Sequence, residues 1–374
     1  MEQNRNWESV APGGGTISAK HPEKSVSAAM AADGWFKAMV VLCSFVLLGM
    51  ILISLSMGYL SIPIPEIARI LGNKLFGILE IATPLEETFA AVIFDVRLPR
   101  ILTCAAVGAA LSVSGVLFQG ILLNPLADPY TLGVSAGAAF GASIAILLNL
   151  GATFVSTPVF AFAGACATLF FVVYLSYSPS SKGIASGLSS NSLILSGIIV
   201  AAILSAGISF LKFIANEQVS VIIFWLMGSF ASKTWINFGV VFAFLVMGFL
   251  IAICFARDLN LISLGDRAAS SLGVDIKKIT LLLLITGSML AAVCVSVSGI
   301  IGFVGLLVPH MVRFVTGPDN RKLLPLSMIV GAFLLLFADT ITRAVLPHEI
   351  PIGILTALTG GPVFCWIFKR SRLR

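Results

Sequence analysis

The sequence predicts an all-α polytopic membrane protein with about ten transmembrane helices, and three observations lead to that prediction. Hydrophobic residues make up 58% of the 374 residues and charged residues only 11%, whereas a soluble chain carries about 25% charged residues. The mean hydropathy is +1.04. Nine apolar runs approach the ~20 residues that a helix needs to cross about 30 Å of hydrocarbon.

The apolar runs cover 38–58, 98–121, 130–150, 157–177, 191–214, 235–256, 279–298, 323–343 and 351–369. A shorter run at 300–313 is ambiguous by length, and we count it as a tenth span because it restores a consistent charge pattern. With both termini in the cytoplasm, the cytoplasmic segments from Lys37 onward carry 13 Lys and Arg residues, and the opposite segments carry 7. This asymmetry has the sign of the positive-inside rule.

The segments outside these runs suggest the domain organisation. Residues 1–36 are polar and lack apolar periodicity, which predicts a flexible cytoplasmic tail before a transmembrane domain at 37–374. The first run has no cleavage pattern after it, so it should remain as a membrane helix. In 59–97, two prolines before alternating apolar residues predict short helices on the outer membrane surface. Residues 257–278 are the most charged connection and form the predicted cytoplasmic coupling segment.

Small residues and prolines punctuate the runs. Gly133, Gly137 and Gly141 recur every fourth residue, which predicts one helix face that another helix approaches closely. Asn124-Pro125-Leu126-Ala127-Asp128-Pro129 interrupts the helical pattern twice and offers side chains that can cap freed backbone groups. Both motifs indicate a tight helix bundle and say nothing about a cargo.

A comparable break lies at Pro309-His310-Met311-Val312-Arg313. His310 could relay protons, but no intramembrane carboxylate is close to it in sequence, so polar packing at a helix end is the favoured interpretation.

Asp339 and Arg343 lie four residues apart on the ninth run, where they could neutralise each other across one helical turn. The alternative is functional. Arg343 then lies at the outer mouth with Arg97 and Arg100, and this basic rim could hold carboxylates of an external partner.

The segment from Leu264 to Gly273 is a short predicted helix bracketed by glycines, with small residues between two leucines. Its members are Leu264, Gly265, Asp266, Arg267, Ala268, Ala269, Ser270, Ser271, Leu272 and Gly273. Such a helix is suited to a groove in another protein, and a solvated amphipathic loop is the alternative.

The sequence lacks the residues that several other activities would need. The chain has no Gly-x-x-x-x-Gly-Lys-Ser/Thr phosphate loop, so it should not hydrolyse nucleotide itself. Its six cysteines are scattered without paired spacing, and we expect neither disulfides nor a bound metal. Few acidic residues lie inside the runs for a proton- or sodium-driven carrier, although a self-sufficient secondary carrier or channel stays the rival hypothesis. A membrane-embedded enzyme would need a catalytic cluster that is not visible.

The motifs taken in order resemble the permease subunits of bacterial ABC importers for iron–siderophores, haem and cobalamin, the FecCD type, over essentially all of 38–370. The motifs that carry the resemblance are Arg97-Leu98-Pro99-Arg100, Ser114-Gly115 with Gln119, the 124–129 break, Gly133–Ala138, Trp225–Ser229, the 264–273 helix, Gly302–Leu306, Pro309-His310 with Arg313, Asp339 with Arg343, Pro351–Ile354 and Gly360-Gly361-Pro362.

The resemblance implies a type II ABC importer permease fold in the bacterial inner membrane, with a second permease subunit, as a homodimer or a paired homologue, around a central pathway. It implies two cytoplasmic ATPase subunits that bind ATP and Mg²⁺, and a periplasmic or lipid-anchored binding protein. This chain would hold no cofactor and would make or break no bond.

The resemblance also implies roles for particular residues. Arg97, Arg100 and Arg343 match positions that dock the binding protein, and Leu264, Gly265, Arg267, Ala268, Ala269, Leu272 and Gly273 match the ATPase-coupling helix. The fifth run lines the pathway in the family. In this chain its Ser192, Ser196, Ser205 and Ser209 come in i, i+4 pairs, which is compatible with a wet face.

Overall fold

The computed structural model describes residues 22–58, 62–76, 84–150, 156–177, 189–344 and 349–371. Within these residues the chain is helical. The helices are α1 (Pro22–Ser56), α2 (Ile64–Phe76), α3 (Pro84–Ala91), α4 (Leu98–Ile121), α5 (Val134–Leu147), α6 (Ser156–Ser176), α7 (Ser190–Ile214), α8 (Val219–Leu226), α9 (Trp235–Cys254), α10 (Ala256–Ile262), α11 (Asp266–Ser271), α12 (Ile276–Ser298), α13 (Val304–Thr316), α14 (Asn320–Ala344) and α15 (Ile352–Ser371).

The chain consists of two compact units, Met1–Met39 and Val40–Arg374. In the first unit, α1 begins at Pro22, within the range 1–36 for which the sequence predicts a tail. Four alanines between residues 28 and 32 favour helix there. Residues 1–21 of the predicted tail lie outside the described residues.

Ten apolar helices account for the predicted spans. Seven helical stretches are long and apolar enough to cross a membrane: Gly34–Ser56, Glu86–Ile121, Ser156–Ser176, Ser190–Ile214, Trp235–Cys254, Ile276–Ser298 and Asn320–Ala344. Three shorter apolar helices, Val134–Leu147, Val304–Thr316 and Ile352–Ile367, complete the set in the part of the chain described. The prediction of an all-α polytopic fold is confirmed.

The second span begins earlier than its apolar run. α3 continues through a π-helical segment, Val92–Arg97, directly into α4, so helix extends back across the end of the predicted outer-surface segment. α2 begins at Ile64, between Pro63 and Pro65, and buries Ile67 and Ile70.

α4 is the centre of the bundle, because α9, α12, α13 and α14 all pack against it. Small residues allow two of these approaches. A Cβ on Gly115 would overlap the carbonyl oxygen of Gly305 in α13, and a Cβ on Gly331 of α14 would overlap the Ser112 hydroxyl. The backbones of α4, α13 and α14 are therefore close enough that only glycine fits at these points.

The three glycines at 133–141, which were predicted to share one helix face, lie in two different secondary-structure elements. Gly137 and Gly141 lie against α6, near Thr168 and Phe160. Gly133 does not lie within the helix, because it ends a 3₁₀ turn at Pro129–Leu132 with φ +74°. α5 is therefore a 14-residue helix that begins at Val134, four residues later than the apolar run.

A non-helical break separates α12 from α13. It runs from Gly299 to Phe303, and both of these residues have positive φ, +74° and +68°. Neighbouring groups satisfy its carbonyls, since the Tyr130 hydroxyl donates to Ile301 O at 2.8 Å. Irregular backbone at membrane depth requires either such partners or an adjoining wet cavity.

Candidate functional site

The structure places the three predicted docking arginines, hereafter the rim (Arg97, Arg100 and Arg343), around the last turns of α1 and α14. Arg97 is only 5% exposed. Its Nη1 donates to the carbonyl oxygen of Leu55 and, at 3.5 Å, to that of Ser56. These carbonyls end α1 and have no partner further along the helix, so Arg97 caps them.

Arg343 holds the same end of α1 from the other side. Its Nη2 donates to Ser54 O at 2.7 Å and to Ser54 Oγ at 2.8 Å, and its Nη1 donates to Met57 O at 2.8 Å. Gly58 passes between the two guanidinium groups. A Cβ there would lie 3.1 Å from Arg97 and 3.2 Å from Arg343, so a side chain would press on both arginines.

Arg100 is the rim residue that binds carboxylates. Its Nη2 and Nε donate to Asp339 at 2.9 and 3.2 Å, and its Nη1 donates to Glu349 at 2.9 Å. Asp339 is 1% exposed, whereas the Glu349 side chain is 49% exposed. The sequence suggested pairing between Asp339 and Arg343, but among the described residues Asp339 forms its ion pair with Arg100.

A cavity of about 200 Å³ opens beside this ion pair, and Phe224, Phe230, Pro351 and Ile352 contribute to its walls. Lys233, in the connection between α8 and α9, lies near Arg100. The pKa of Lys233 is lowered to about 8, mainly by burial and in smaller part by the positive charge of Arg100. The rim end of the bundle therefore concentrates positive charge around two carboxylates.

The helix break predicted at 124–129 makes local caps. Asn124 Oδ1 accepts from the Leu126 amide at 2.9 Å, and Asp128 Oδ1 accepts from the Tyr130 amide at 2.8 Å. Pro125 and Pro129, which lack an amide hydrogen, end the helical hydrogen-bonding pattern on either side.

The break predicted at 309–313 is wrong, because α13 continues through Pro309 to Thr316. Side chains of this segment instead join α13 to α4. Arg313 Nη2 donates to Gln119 Oε1 at 3.2 Å, and Gln119 Nε2 donates to Leu306 O at 3.1 Å. The ring of His310 meets the ring of Phe314 edge-on, with centroids 5.1 Å apart. Pro309 is buried inside α13. The Arg313–Gln119 bond is polar packing of the kind predicted, whereas the contact given for His310 is with an aromatic ring.

The four serines predicted to line a pathway lie along α7, a largely uncovered helix. Ser192 and Ser196 are partly exposed, and Ser205 and Ser209 are exposed. Ser209 Oγ donates to Ser205 O at 3.0 Å. Large apolar side chains, Leu195, Ile199, Ile203 and Phe210 among them, are exposed on the same helix.

A larger cavity, of about 580 Å³, lies where the α12–α13 break meets the start of α15. Its walls include Met227, Ile300, Gly302, Gly353 and Ala357. Most of its lining is apolar or backbone.

The predicted coupling helix, hereafter the knob (264–273), is a projecting turn with one anchored side. Leu264 and Leu272 are 67% and 61% exposed, and Arg267 is exposed. Ala269 points the other way and is fully buried with Ile262 and Val274.

The backbone conformation explains why glycines stand at both ends of the knob. Gly265 and Gly273 have φ of +101° and +85°, and no other group lies close enough to contact an added Cβ. Left-handed backbone, rather than crowding, therefore requires glycine at both positions.

Sequence reasoning missed three groups that the structure brings to these sites. Lys233 and Glu349 stand in short connections with no motif around them, and Asn260 lies in a charged segment where nothing distinguishes it. Gln119 stood out only through the resemblance, although an amide inside an apolar run was a usable signal. No group of three or more His, Cys, Asp or Glu side chains that could hold a metal occurs among the described residues.

Comparisons with known proteins agree with this architecture. Residues 46–370 match the sequence model of the FecCD transport family. The molybdate import permease MolB of Haemophilus influenzae is 39% identical over 86% of this chain and 92% of its own length. The cobalamin import permease BtuC of Halobacterium salinarum is 39% identical over 78% of each chain.

A solved structure of a metal-chelate type ABC transporter in an inward-facing conformation matches with a TM-score of 0.77 and 34% identity. The match covers 89% of this chain and 99% of that one. The family model and the structural match both cover nearly the whole length. The chain is therefore a multi-pass ABC transporter permease and belongs to the FecCD transport family.

Proposed function

We propose that this chain is the translocation subunit of an ATP-driven importer that moves a metal chelate or corrinoid (an iron–siderophore, haem or cobalamin) inward by alternating access. Two permease copies would pair around a central pathway, and two ATPase subunits would bind ATP and Mg²⁺ on the cytoplasmic side. A periplasmic or lipid-anchored binding protein would dock at the rim. Both termini would lie in the cytoplasm of a bacterial inner membrane.

The observation that carries the proposal is the knob. Two leucines stand more than half exposed on a turn whose opposite side is buried. An exposed apolar patch rimmed by polar residues is typical of a protein-interaction site, and 257–278 is the most charged connection between the spans. A groove in an ATPase subunit would cover Leu264 and Leu272 while Arg267 contacts its edge.

The knob can be tested without disturbing the bundle. The double variant Leu264→Ser/Leu272→Ser removes apolar surface that the fold does not bury, so the permease should stay folded. We expect it to lose its ATPase subunit on co-purification and to lose ATP-driven uptake. Asp275→Asn, at an exposed position just beyond the knob, is the matched control and should retain both.

Docking at the rim is a separate element of the proposal. Arg100 and Lys233 offer positive charge at the mouth, and carboxylates of a binding protein would complement it. Charge reversal at Arg97 or Arg343 would also release the end of α1, and charge reversal at Arg100 would leave Asp339 buried without its partner. The double variant Arg100→Met/Asp339→Asn, which removes the positive charge and leaves no buried carboxylate, is therefore the cleaner test. We expect it to abolish binding-protein association and to leave ATPase association unchanged.

The cargo has a second candidate. The similarity to a molybdate permease supports a small oxyanion, whereas the apolar cavity of about 580 Å³ supports a bulky chelate. Vesicles that contain the permease, its ATPase and its binding protein should accumulate a labelled iron chelate, haemin or cobalamin in the presence of ATP. Accumulation of molybdate instead would establish the second candidate.

A secondary carrier or channel makes the opposite prediction. Vesicles that contain this chain alone would then accumulate solute in a proton or sodium gradient, independently of ATP. That result would overturn the proposed function as a whole.

A further inference from the structure

Three polar residues join the knob to α14 at the end of that helix opposite the rim. Asn260 lies in α10, Asp319 directly precedes α14, and Asn320 is its first residue. We call these three side chains the clasp. None of them belongs to a motif that the sequence analysis or the family resemblance singled out.

The clasp is a dense set of hydrogen bonds. Asn260 Nδ2 donates to Asp319 Oδ1 at 2.7 Å. Asn260 Oδ1 accepts from the Asn320 amide at 2.9 Å and from Asn320 Nδ2 at 2.7 Å. Asp319 Oδ1 also accepts from the Arg321 amide at 3.0 Å. Asn320 is 4% exposed, so bulk water cannot easily replace these bonds.

Apolar packing joins the clasp to the knob. Ala269 of α11 is buried against Ile262 of α10 and Val274 beyond the knob. Ile262 lies two residues after Asn260 in the same short helix. Leu259 of α10 also fills the space that a Cβ on Gly120 of α4 would occupy. A displacement of the knob must therefore displace α10.

α14 and α4 form a rigid pair beyond the clasp. Gly331 and Gly108 bring their backbones into contact midway along the helices. At the rim end, Arg100 of α4 is bonded to Asp339 of α14. Asn320 and Asp339 are separated by about 28 Å of helix at 1.5 Å per residue, close to the thickness of a hydrocarbon core.

We propose that Asn260, Asp319 and Asn320 are positioning residues that transmit movement of the knob to the α4–α14 pair. Through this pair the movement reaches Arg100, Asp339 and Glu349 at the rim. The inference rests on the proposed function, because it assigns the knob to an ATPase and the rim to a binding protein. It adds the connection between those two sites.

The connection has a thermodynamic signature. If nucleotide bound to the ATPase changes the affinity of the rim for the binding protein, the binding protein changes nucleotide affinity by the same factor. Loss of the clasp should reduce this factor while each site still binds its own partner. A residue needed only for folding would weaken both sites together.

The test exchanges the two side chains that share the 2.7 Å hydrogen bond. Asn260→Asp places two carboxylates together and removes the donor to Asp319. The double variant Asn260→Asp/Asp319→Asn restores one amide donor and one carboxylate acceptor in reversed order. Ser263→Ala is the matched control, since its hydroxyl bonds only to Asn260 O within its own exposed turn.

The measurement is the Kd of the binding protein for the permease–ATPase complex in vesicles, with and without a non-hydrolysable ATP analogue. For the wild type and Ser263→Ala we expect a ratio of Kd values of about 5–150, the usual range of coupling between sites. Asn260→Asp should reduce the ratio below about 2, and the double variant should restore it. Co-purification of the ATPase should be unchanged throughout.

Three results would overturn the inference. One is a wild-type ratio for Asn260→Asp. Another is a double variant that stays uncoupled although it assembles. The third is loss of ATPase association in both Asn260→Asp and Asn260→Ala, with recovery of association in the double variant. That pattern would show that Asn260 is needed for folding. Failure of the wild-type chain to associate with either partner would instead refute the proposed function.

Discussion

Asp339 of α14 is bonded to Arg100 of α4, 239 residues away in the chain, and not to Arg343 one turn further along its own helix. Both oxygens of this buried carboxylate are occupied by one guanidinium. A bidentate pair of this kind fixes the relative rotation of two helices as well as their separation.

Removal of Arg100 should destabilise the fold strongly. Arg100→Met leaves the Asp339 carboxylate buried without its partner, which costs about 3–5 kcal/mol. Arg100→Met/Asp339→Asn should recover much of that loss, because no buried charge remains. The free energy of unfolding in mixed detergent micelles measures both. Lys278→Ala breaks an exposed ion pair and is the control expected to show no change.

The contact between α4 and α13 should tolerate no methyl group at residue 115. Gly115→Ala drives a Cβ into the Gly305 carbonyl, and overpacking of this kind costs about 1–3 kcal/mol. Gly239→Ala adds the same methyl to α9 where nothing lies within 4 Å, so its thermal midpoint should be unchanged or slightly raised. Equal midpoints for the two variants would contradict the packing described.

Lys233 should make stability depend on pH in a basic window. Its pKa is lowered to about 8, first by burial and then by Arg100. Above this value the folded chain releases a proton that the unfolded chain keeps up to its ordinary pKa of about 10.5. Stability should therefore rise from pH 8 toward pH 10.5, as followed by thermal unfolding.

Two variants separate this effect of Lys233 from others. Lys233→Met removes the buried charge, so it should be more stable than the wild type at pH 7 and lack the rise. Lys233→Arg stays charged over the whole pH range. Its stability should therefore neither rise between pH 8 and 10.5 nor exceed that of the wild type at pH 7. A wild-type pH profile in Lys233→Met would show that another group titrates.

Glu349 should compete with the binding protein for Arg100. It is a half-exposed carboxylate 2.9 Å from Arg100 Nη1, and exposed pairs of this type contribute about 0.2–1 kcal/mol. Glu349→Gln should therefore tighten binding-protein association by up to about 5-fold and change stability little. Glu217→Gln, at another exposed acid, should leave the Kd unchanged. Weaker binding in Glu349→Gln would mean that Glu349 contacts the partner itself.

The sequence predicts the helices far better than it predicts their partners. A run such as 98–121 is long, apolar and bounded by arginines, so hydropathy alone locates α4. Partner choice depends on distant packing. Asp339 and Arg343 have the spacing of a helical ion pair, yet Arg343 is occupied by carbonyls at the end of α1, and only the folded chain brings Arg100 to Asp339.

Helix boundaries and clusters of polar side chains were also difficult to predict from the sequence. Apolar content at 130–133 continues that of α5, but Pro129 and the positive φ of Gly133 keep these residues out of the helix. Nothing in the sequence around Asn260 indicated its role, because the three hydrogen bonds of its side chain go to residues about sixty positions away. The spacing of apolar residues along the sequence indicates which faces of the helices are buried. Hydrogen bonds between distant residues depend on how the chain folds, and that spacing does not indicate them.

Arg97 and Arg343, which donate to the end of α1, also bear on how far the chain can be shortened from its beginning. Their acceptors include backbone carbonyls of residues 54–57. A deletion ending near Val40 keeps those acceptors, whereas one that removes Ser54 and the residues after it takes them away from two cationic side chains. The last turn of the first helix is therefore a segment that a shortened transporter has to retain.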